Sequence, residues 1–480
     1  MNPFGKKITR RKFLKTTVLG AGFLTGCRNN IYGYDFQQRR SSGNPIPVAY
    51  NNPSIQYHEE RCQFCGRCVG FCRRTTGVYE QTVPPGEDPC TRCGQCTLFC
   101  PNILTEQYHY QEVATAIANP DNIVIATLAP AVRVSLGEMF GLTPGTNVER
   151  EIVGALKQSG IAHVLDATFS ADLTVVEEAT ELIRRLENGH AGNALFTSCC
   201  PAWVRYVTLF YPTFLPDLAT TKSPLLMQGA LIKTYFAQKN GINPEKIVHV
   251  ALMPCTAKKG EILLEGMNAA GVSHGRPEMR DVDYALTCRE LAYLLKDSNV
   301  DFLQAQGAPY SLLMGRGSGS GMIFGNTGGV MEATLRTAYK LLNDKNPPAN
   351  FFELHPVRGL DGIRQANVDI GKYKLNVSVV HGIVSAKSLL EAIQSDGQKF
   401  DFVEVMACPG GCIGGGGQPY VATADAAKIN QLRLNALYQQ DALHEIRLSC
   451  DNPEIKAIYD EFLGKPLGEK SKELLHIATM

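Results

Sequence analysis

From about Tyr110 onward, the order of apolar and polar residues switches between two periods. Asn122 to Ala129 (NIVIATLA) is an unbroken apolar run with β-branched residues, which predicts a buried strand. Ala162 to Leu165 and Ile247 to Met253 (IVHVALM) read the same way. Helical spacing lies between them, from Pro130 through Phe140, over Leu173 to Leu186 and over Pro224 to Lys239. Strands alternating with helices predict an α/β body with both sheet faces covered. The first 52 residues differ. Thr16 to Gly26 is mildly apolar but too short to span a bilayer, and Arg28 to Asn52 is polar without apolar periodicity, the pattern of a tether.

Length and charge narrow the picture. The chain has 480 residues, enough for two to four domains, and 47 Lys plus Arg against 46 Asp plus Glu. Near-neutrality argues against a nucleic-acid surface, so no nucleic-acid partner is expected. The anomaly is 16 cysteines, clustered at short spacings that read as metal or Fe–S ligation more than as a disulfide framework.

Cys62, Cys65, Cys68 and Cys72 follow C-x2-C-x2-C-x3-C; Cys90, Cys93, Cys96 and Cys100 repeat it, with Pro101 after the last. In bacterial ferredoxins the fourth cysteine of each run serves the other cluster. The spacing therefore assigns one [4Fe–4S] cluster to Cys62, Cys65, Cys68 and Cys100, and a second to Cys90, Cys93, Cys96 and Cys72. Zinc has no use for the third and fourth thiols of each run. Arg73 stands where the first run would have proline, which alters the local turn and the charge near a cluster without removing a ligand. Residues 53–109 thus read as a two-[4Fe–4S] ferredoxin-like α+β domain that transfers single electrons.

Further cysteines fall at the ends of body elements, in Thr197–Trp203 (TSCCPAW), Met253–Glu261 (MPCTAKKGE) and Glu404–Pro419 (EVMACPGGCIGGGGQP). Six glycines crowd Cys408 and Cys412, so backbone can come close to a bulky inorganic group; a disulfide or a plain glycine-rich turn would share that pattern. In the helix containing VVEEATELIRRLE, Glu178, Glu181 and Arg185 share one face, as an exposed ion-pair stripe also would.

Together TSCCPAW, MPCTAKKGE and EVMACPGGCIGGGGQP resemble the three signature segments of the [FeFe]-hydrogenases. The likeness continues through Gly319–Arg336 (GSGMIFGNTGGVMEATLR) and covers about Ser54 to Ile477. It implies two sheet-containing lobes with a six-iron H-cluster between them: a [4Fe–4S] cube joined through a thiolate to a diiron unit with carbon monoxide, cyanide and an azadithiolate bridge. By motif position Cys200, Cys255 and Cys408 would hold the cube, and Cys412 would bridge to the diiron unit. Cys199 would be the first proton relay to the bridging amine. Lys258 would donate to one cyanide, and Pro130 and Ala131 would bring backbone to the other. Met253 and Met406 would pack soft sulfur on the diiron unit, core packing being the bland reading of both. Lys259 reads as a surface lysine. Glu178, Glu181 and Arg185 would carry protons between Cys199 and the surface. The hydroxyl that usually joins them is replaced by Ala219, with Thr220 or water as substitutes. Cys288 and Cys450 read as packing cysteines.

The resemblance implies an enzyme interconverting dihydrogen with protons and electrons, a catalytic body over 110–440 and a small-subunit-like tail over 441–480. It also implies maturation proteins and a cytochrome or ferredoxin partner. Residues 1–27 carry a twin-arginine export pattern, Thr9-Arg10-Arg11-Lys12-Phe13-Leu14-Lys15, ending in a lipoprotein-like box at Cys27. That predicts the twin-arginine translocase as a partner and a periplasmic or lipid-anchored protein working toward dihydrogen uptake. The rivals are a non-catalytic Fe–S assembly relative, a hydrogen sensor and a simple electron carrier. Intact Cys199, Lys258 and Cys412 speak against the first, the absence of a signalling domain after the tail against the second, and the body itself against the third.

Overall fold

The computed structural model describes residues 48–78, 88–189 and 194–477. The export pattern, Cys27 and most of the predicted tether lie outside the described residues.

Strands β1 (Ile55–Tyr57) and β2 (Leu104–Glu106) form an antiparallel pair that closes the segment holding the two cysteine runs. Helices Arg67–Thr75 and Gln95–Phe99 each start after a left-handed glycine, Gly66 (φ 72°) and Gly94 (φ 71°). Two residues earlier, Phe64 and Arg92 are also left-handed. The repeat in sequence is thus a repeat in backbone conformation.

The body contains two four-stranded sheets. The first is all parallel, in the order β4 (His163–Asp166), β3 (Ile123–Leu128), β6 (Ile247–Met253), β7 (Tyr284–Thr287). Its strands are almost continuously buried, as expected where helices cover both faces. The second runs β5 (Leu195–Phe196), β10 (Phe402–Met406), β9 (Tyr373–His381), β8 (Ile363–Ile370), parallel except for the β8–β9 pair. Helix Ala167–Glu187 joins the lobes. Phe169, Leu173 and Val176 pack in one core cluster, and Ala179, Leu182 and Leu186 in another with β8 to β10. Asp166 caps its start by accepting from the Thr168 amide. The α/β body is as the pattern predicted, and the three strands that the pattern named, β3, β4 and β6, all lie in the first sheet.

The predicted helix Pro130–Phe140 is broken. It is helical to Arg133 and resumes as a 3-10 turn over Leu136–Phe140. The carbonyls of Arg133 and Val134 are taken by the amides of Val148 and Gly145, so they cannot continue the ladder. β4 begins one residue later than predicted. The helix from Pro224 runs to Asn240 through a π turn at Ile232–Phe236.

The C-terminal segment packs on helix Ala167–Glu187, the inner helix. Ile455, Ile458, Tyr459, Leu463, Leu474 and Leu475 share a core cluster with Leu173 and Val176.

Candidate functional site

The carboxyl ends of strands from both lobes meet at one place. Pro130 and Ala131 follow β3, Cys199 and Cys200 follow β5, Cys255 follows β6, and Cys408 and Cys412 follow β10. This is where parallel α/β sheets put their sites. All of these residues, with Met253, Met406 and Lys258, line one cavity. Phe324 and Gly325, from the Gly319–Arg336 segment, and Ala171, which no motif marks, share its wall.

The lining tests which group would fit. Apart from thiols and the Lys258 ammonium it is apolar, and small residues leave the backbone bare. Among the described residues no three His, Cys, Asp or Glu side chains converge as a single metal ion requires. The thiols instead surround a space, and that donor set suits a polynuclear iron–sulfur group. Burial pushes the Cys200, Cys255 and Cys408 thiols above their usual range and Cys412 up to about 12. Iron coordination reverses that bias by favouring the thiolate.

The glycines have a second use besides lining the cavity. Gly411 (φ 88°) does line the cavity. A Cβ on Gly416, however, would fall 2.2 Å from the Cys93 carbonyl oxygen. The loop is bare there so that it can lie against the second cysteine run. Gln95 Nε2 donates to the Gly414 carbonyl (2.7 Å), and Thr256 Oγ1 donates to the Arg92 carbonyl (2.8 Å). Arg289, which sequence reasoning missed, ties Glu106, Thr97 and the Gly416 and Gln418 carbonyls into one buried cluster.

Lys258 is buried, donates to the Cys199 carbonyl at 3.2 Å and pairs with Glu261 at 2.8 Å. Burial opposes its charge, but Glu261 outweighs burial and holds the ammonium above its usual range. Lys259 is not a surface lysine. It is fully buried, donating to the Ala285 carbonyl (2.7 Å) and pairing with Glu290 (2.8 Å). Its charge is tolerated because it is matched.

Glu178, Glu181 and Arg185 run outward from the cavity, with side chains 0%, 12% and 29% exposed. Only the outer pair resembles an ion-pair stripe: Arg185 reaches Glu181 at 3.5 Å and the Pro216 carbonyl at 3.4 Å. Burial, reinforced by Glu181 and Glu404, raises Glu178 to about 8 against the pull of the Thr221 hydroxyl. Thr221 Oγ1 donates to Glu178 Oε1 at 3.1 Å, and Ser198 Oγ lies 3.3 Å from Thr221 Oγ1. Thr220 donates to Glu181 Oε2 from both its amide (3.2 Å) and its hydroxyl (3.1 Å). Two adjacent threonines therefore serve the two carboxyls, while Ala219 is buried between strand and helix.

The cysteine runs sort into two groups. Cys72, Cys90, Cys93 and Cys96 line a second, smaller cavity. The charges that raise Cys68, after burial itself, are those of Cys100, Cys62 and Cys65. In both runs a left-handed residue turns its amide onto the first thiol, Phe64 N–H to Cys62 Sγ (3.4 Å) and Arg92 N–H to Cys90 Sγ (3.3 Å). Such amides stabilise a thiolate. Cys288 is buried against Ser135 Oγ at 3.7 Å, and Cys450 is half-buried beside the tail's core.

Residues 122–416 match the family model "Iron only hydrogenase large subunit, C-terminal domain", and residues 427–478 match "Iron hydrogenase small subunit". The NADP-reducing hydrogenase subunit HndD of Solidesulfovibrio fructosivorans is 42% identical over 420 residues, covering 86% of this chain. The chain spans 65% of that relative's length. Iron hydrogenase 1 of Clostridium pasteurianum is 38% identical over 447 residues, 89% of this chain and 76% of the relative. A solved structure of an apo [FeFe]-hydrogenase HydA1 variant from Chlamydomonas reinhardtii superposes with TM-score 0.68 at 35% identity, covering 77% of this chain and 98% of that one.

Proposed function

The chain belongs to the iron-only hydrogenase family, and from that premise we propose that it interconverts dihydrogen with protons and electrons at a six-iron cluster in the cavity lined by Cys199, Cys200, Cys255, Cys408 and Cys412. The observation that carries this reading is the convergence of Cys200, Cys255, Cys408 and Cys412 with Cys199 and Lys258 from separate loops. When bound, the cluster supplies the metal and base between which dihydrogen is split or formed.

The protein's share is holding, proton transfer and electron transfer. Cys200, Cys255 and Cys408 would hold the cube, with Cys412 as the further thiolate ligand of the cluster. Lys258, kept charged by Glu261, offers a charge-assisted hydrogen bond to a cyanide. Pro130 and Ala131 bring backbone to the cavity wall, and Met253 and Met406 pad the site with polarisable sulfur. Cys199 exchanges a proton at Sγ, and Glu178, Glu181 and Arg185 lead outward. Cys90, Cys93, Cys96 and Cys72 would hold one [4Fe–4S] cluster and Cys62, Cys65, Cys68 and Cys100 a second, outer one, and the pair would supply single-electron transfer to and from the cavity. The exposed Cys65 puts the outer cluster within reach of a cytochrome or ferredoxin. Export by the twin-arginine route, lipidation at Cys27 and the uptake direction belong to the same proposal, together with the 53–109, 110–440 and 441–480 domain division.

The reading is tested by the infrared spectrum of protein matured with the hydrogenase maturation proteins. Bands in the carbonyl and cyanide stretching regions are expected, and their absence would sink it. The crossed cluster assignment has its own test. Cys72→Ala should remove the paramagnetic signal of the cluster anchored on Cys90, Cys93 and Cys96 and leave the other. Loss of the outer signal instead would reverse the assignment.

A further inference from the structure

Where the C-terminal segment meets the inner helix, a buried polar cluster remains that the proton path above does not use. Glu177 accepts hydrogen bonds from Tyr459 Oη (2.6 Å), the Leu467 amide (2.8 Å) and Ser471 Oγ, and lies 3.1 Å from His476 Nε2. Burial works against its charge, but His476 and the hydroxyls outweigh burial and hold it below the usual carboxylate range. The other ring nitrogen, His476 Nδ1, is 2.9 Å from Thr220 Oγ1, the hydroxyl that donates to Glu181 Oε2. Backbone bonds fix this meeting. The Lys222 amide donates to the Leu475 carbonyl (2.8 Å), and the Ile477 amide donates to the Thr220 carbonyl (2.9 Å).

Counting hydrogens ties the direction of this contact to the hydrogens on the ring. A hydroxyl has one proton. If Thr220 gives it to Glu181, its oxygen must accept from His476 Nδ1, and since Nε2 already donates to the ionised Glu177, the ring then carries hydrogen on both nitrogens. If Nδ1 is bare, the hydroxyl turns to the ring and Glu181 loses a donor. We infer that His476 is a positioning residue for the proton path: through the Thr220 hydroxyl, the C-terminal tail sets the hydrogen bonding of Glu181. The inference rests on the hydrogenase reading for its consequence, but not for the contact.

The test uses full-length protein carrying His476→Phe, His476→Gln, Thr220→Val, Thr220→Ser and the double change His476→Phe with Thr220→Val. Amide hydrogen exchange at Thr220, whose N–H also donates to Glu181, should quicken about tenfold in His476→Phe and stay slow in His476→Gln, which keeps a side-chain donor. In matured protein, His476→Phe and Thr220→Val should each lower turnover about tenfold, less than the ~10²–10⁴ of a direct acid–base group. Thr220→Ser should stay near wild type, and the double change should be no worse than either single one. Unchanged exchange in His476→Phe, or losses that multiply in the double change, would overturn the inference. Infrared spectra of the same preparations keep the two readings apart. Matured wild type without carbonyl and cyanide bands would count against the hydrogenase function, while the exchange result would still decide whether His476 holds Thr220.

Discussion

Cys199→Ala is expected to lower dihydrogen turnover by about 10³-fold or more while leaving the infrared bands of the matured cluster in place, as loss of a directly engaged acid–base group requires. The thiol is buried in the cavity wall beside Cys200. Burial pushes it well above its ordinary range, Glu178, Cys200 and Cys412 push further, and Lys258 pulls only partly back. Cys199 therefore keeps its proton at neutral pH and has one to exchange. Lys258, the other protonated group in the wall, is committed to Glu261 and the Cys199 carbonyl. Cys199→Ser should fail as well, because a buried hydroxyl is a far weaker acid than a thiol. The measurement is hydrogen evolution from a reduced dye beside an infrared spectrum of the same sample. Turnover near wild type with intact bands would remove Cys199 from the path.

What the sequence makes legible is local. A β-branched apolar run names β3 and β6 because burial on both sheet faces leaves no other place for it. The C-x2-C-x2-C-x3-C runs name their groups because the spacing builds the same left-handed turn twice, at Phe64 and Arg92. What it hides is decided by distant partners. Lys258 and Lys259 are neighbours in one motif, and only Glu290, brought in by a later helix, makes Lys259 a buried ion pair. The break after Arg133 depends on the amides of Gly145 and Val148, which no helical pattern records. The sequence shows that Ala219 lacks a hydroxyl. It does not show that Thr221 meets one carboxyl and Thr220 the other, because that depends on how the segment after β5 lies along the inner helix. His476 is further removed still, since nothing near it in the chain points to Glu177 or Thr220.

Glu178→Gln should separate activity from stability in opposite directions. Glu178 is fully buried, with one carboxyl oxygen bonded to Thr221 and the other without a partner among the described residues. Glutamine keeps the shape and still accepts from Thr221, but it cannot pass a proton, so turnover should fall by about 10²–10³. The sign for stability follows from the direction in which burial moves the carboxyl. Raised from 4.5 to about 8, it binds its proton more tightly in the folded chain. Its favourable contribution is therefore complete below about 4.5 and is lost as pH rises toward 8, at ~1.4 kcal/mol for each pH unit crossed. Above 8 the wild type must hold an unmatched buried charge or unfold, whereas the amide never ionises. Urea unfolding of the full-length protein as isolated should show Glu178→Gln matching wild type near pH 5 and exceeding it near pH 9. Glu404, raised by burial to about 7, remains in both proteins and leaves a common residual slope. If both proteins lost stability equally between those values, the buried carboxyl would not be the cause; if Glu178→Gln turned over like wild type, protons would be leaving Cys199 by another route.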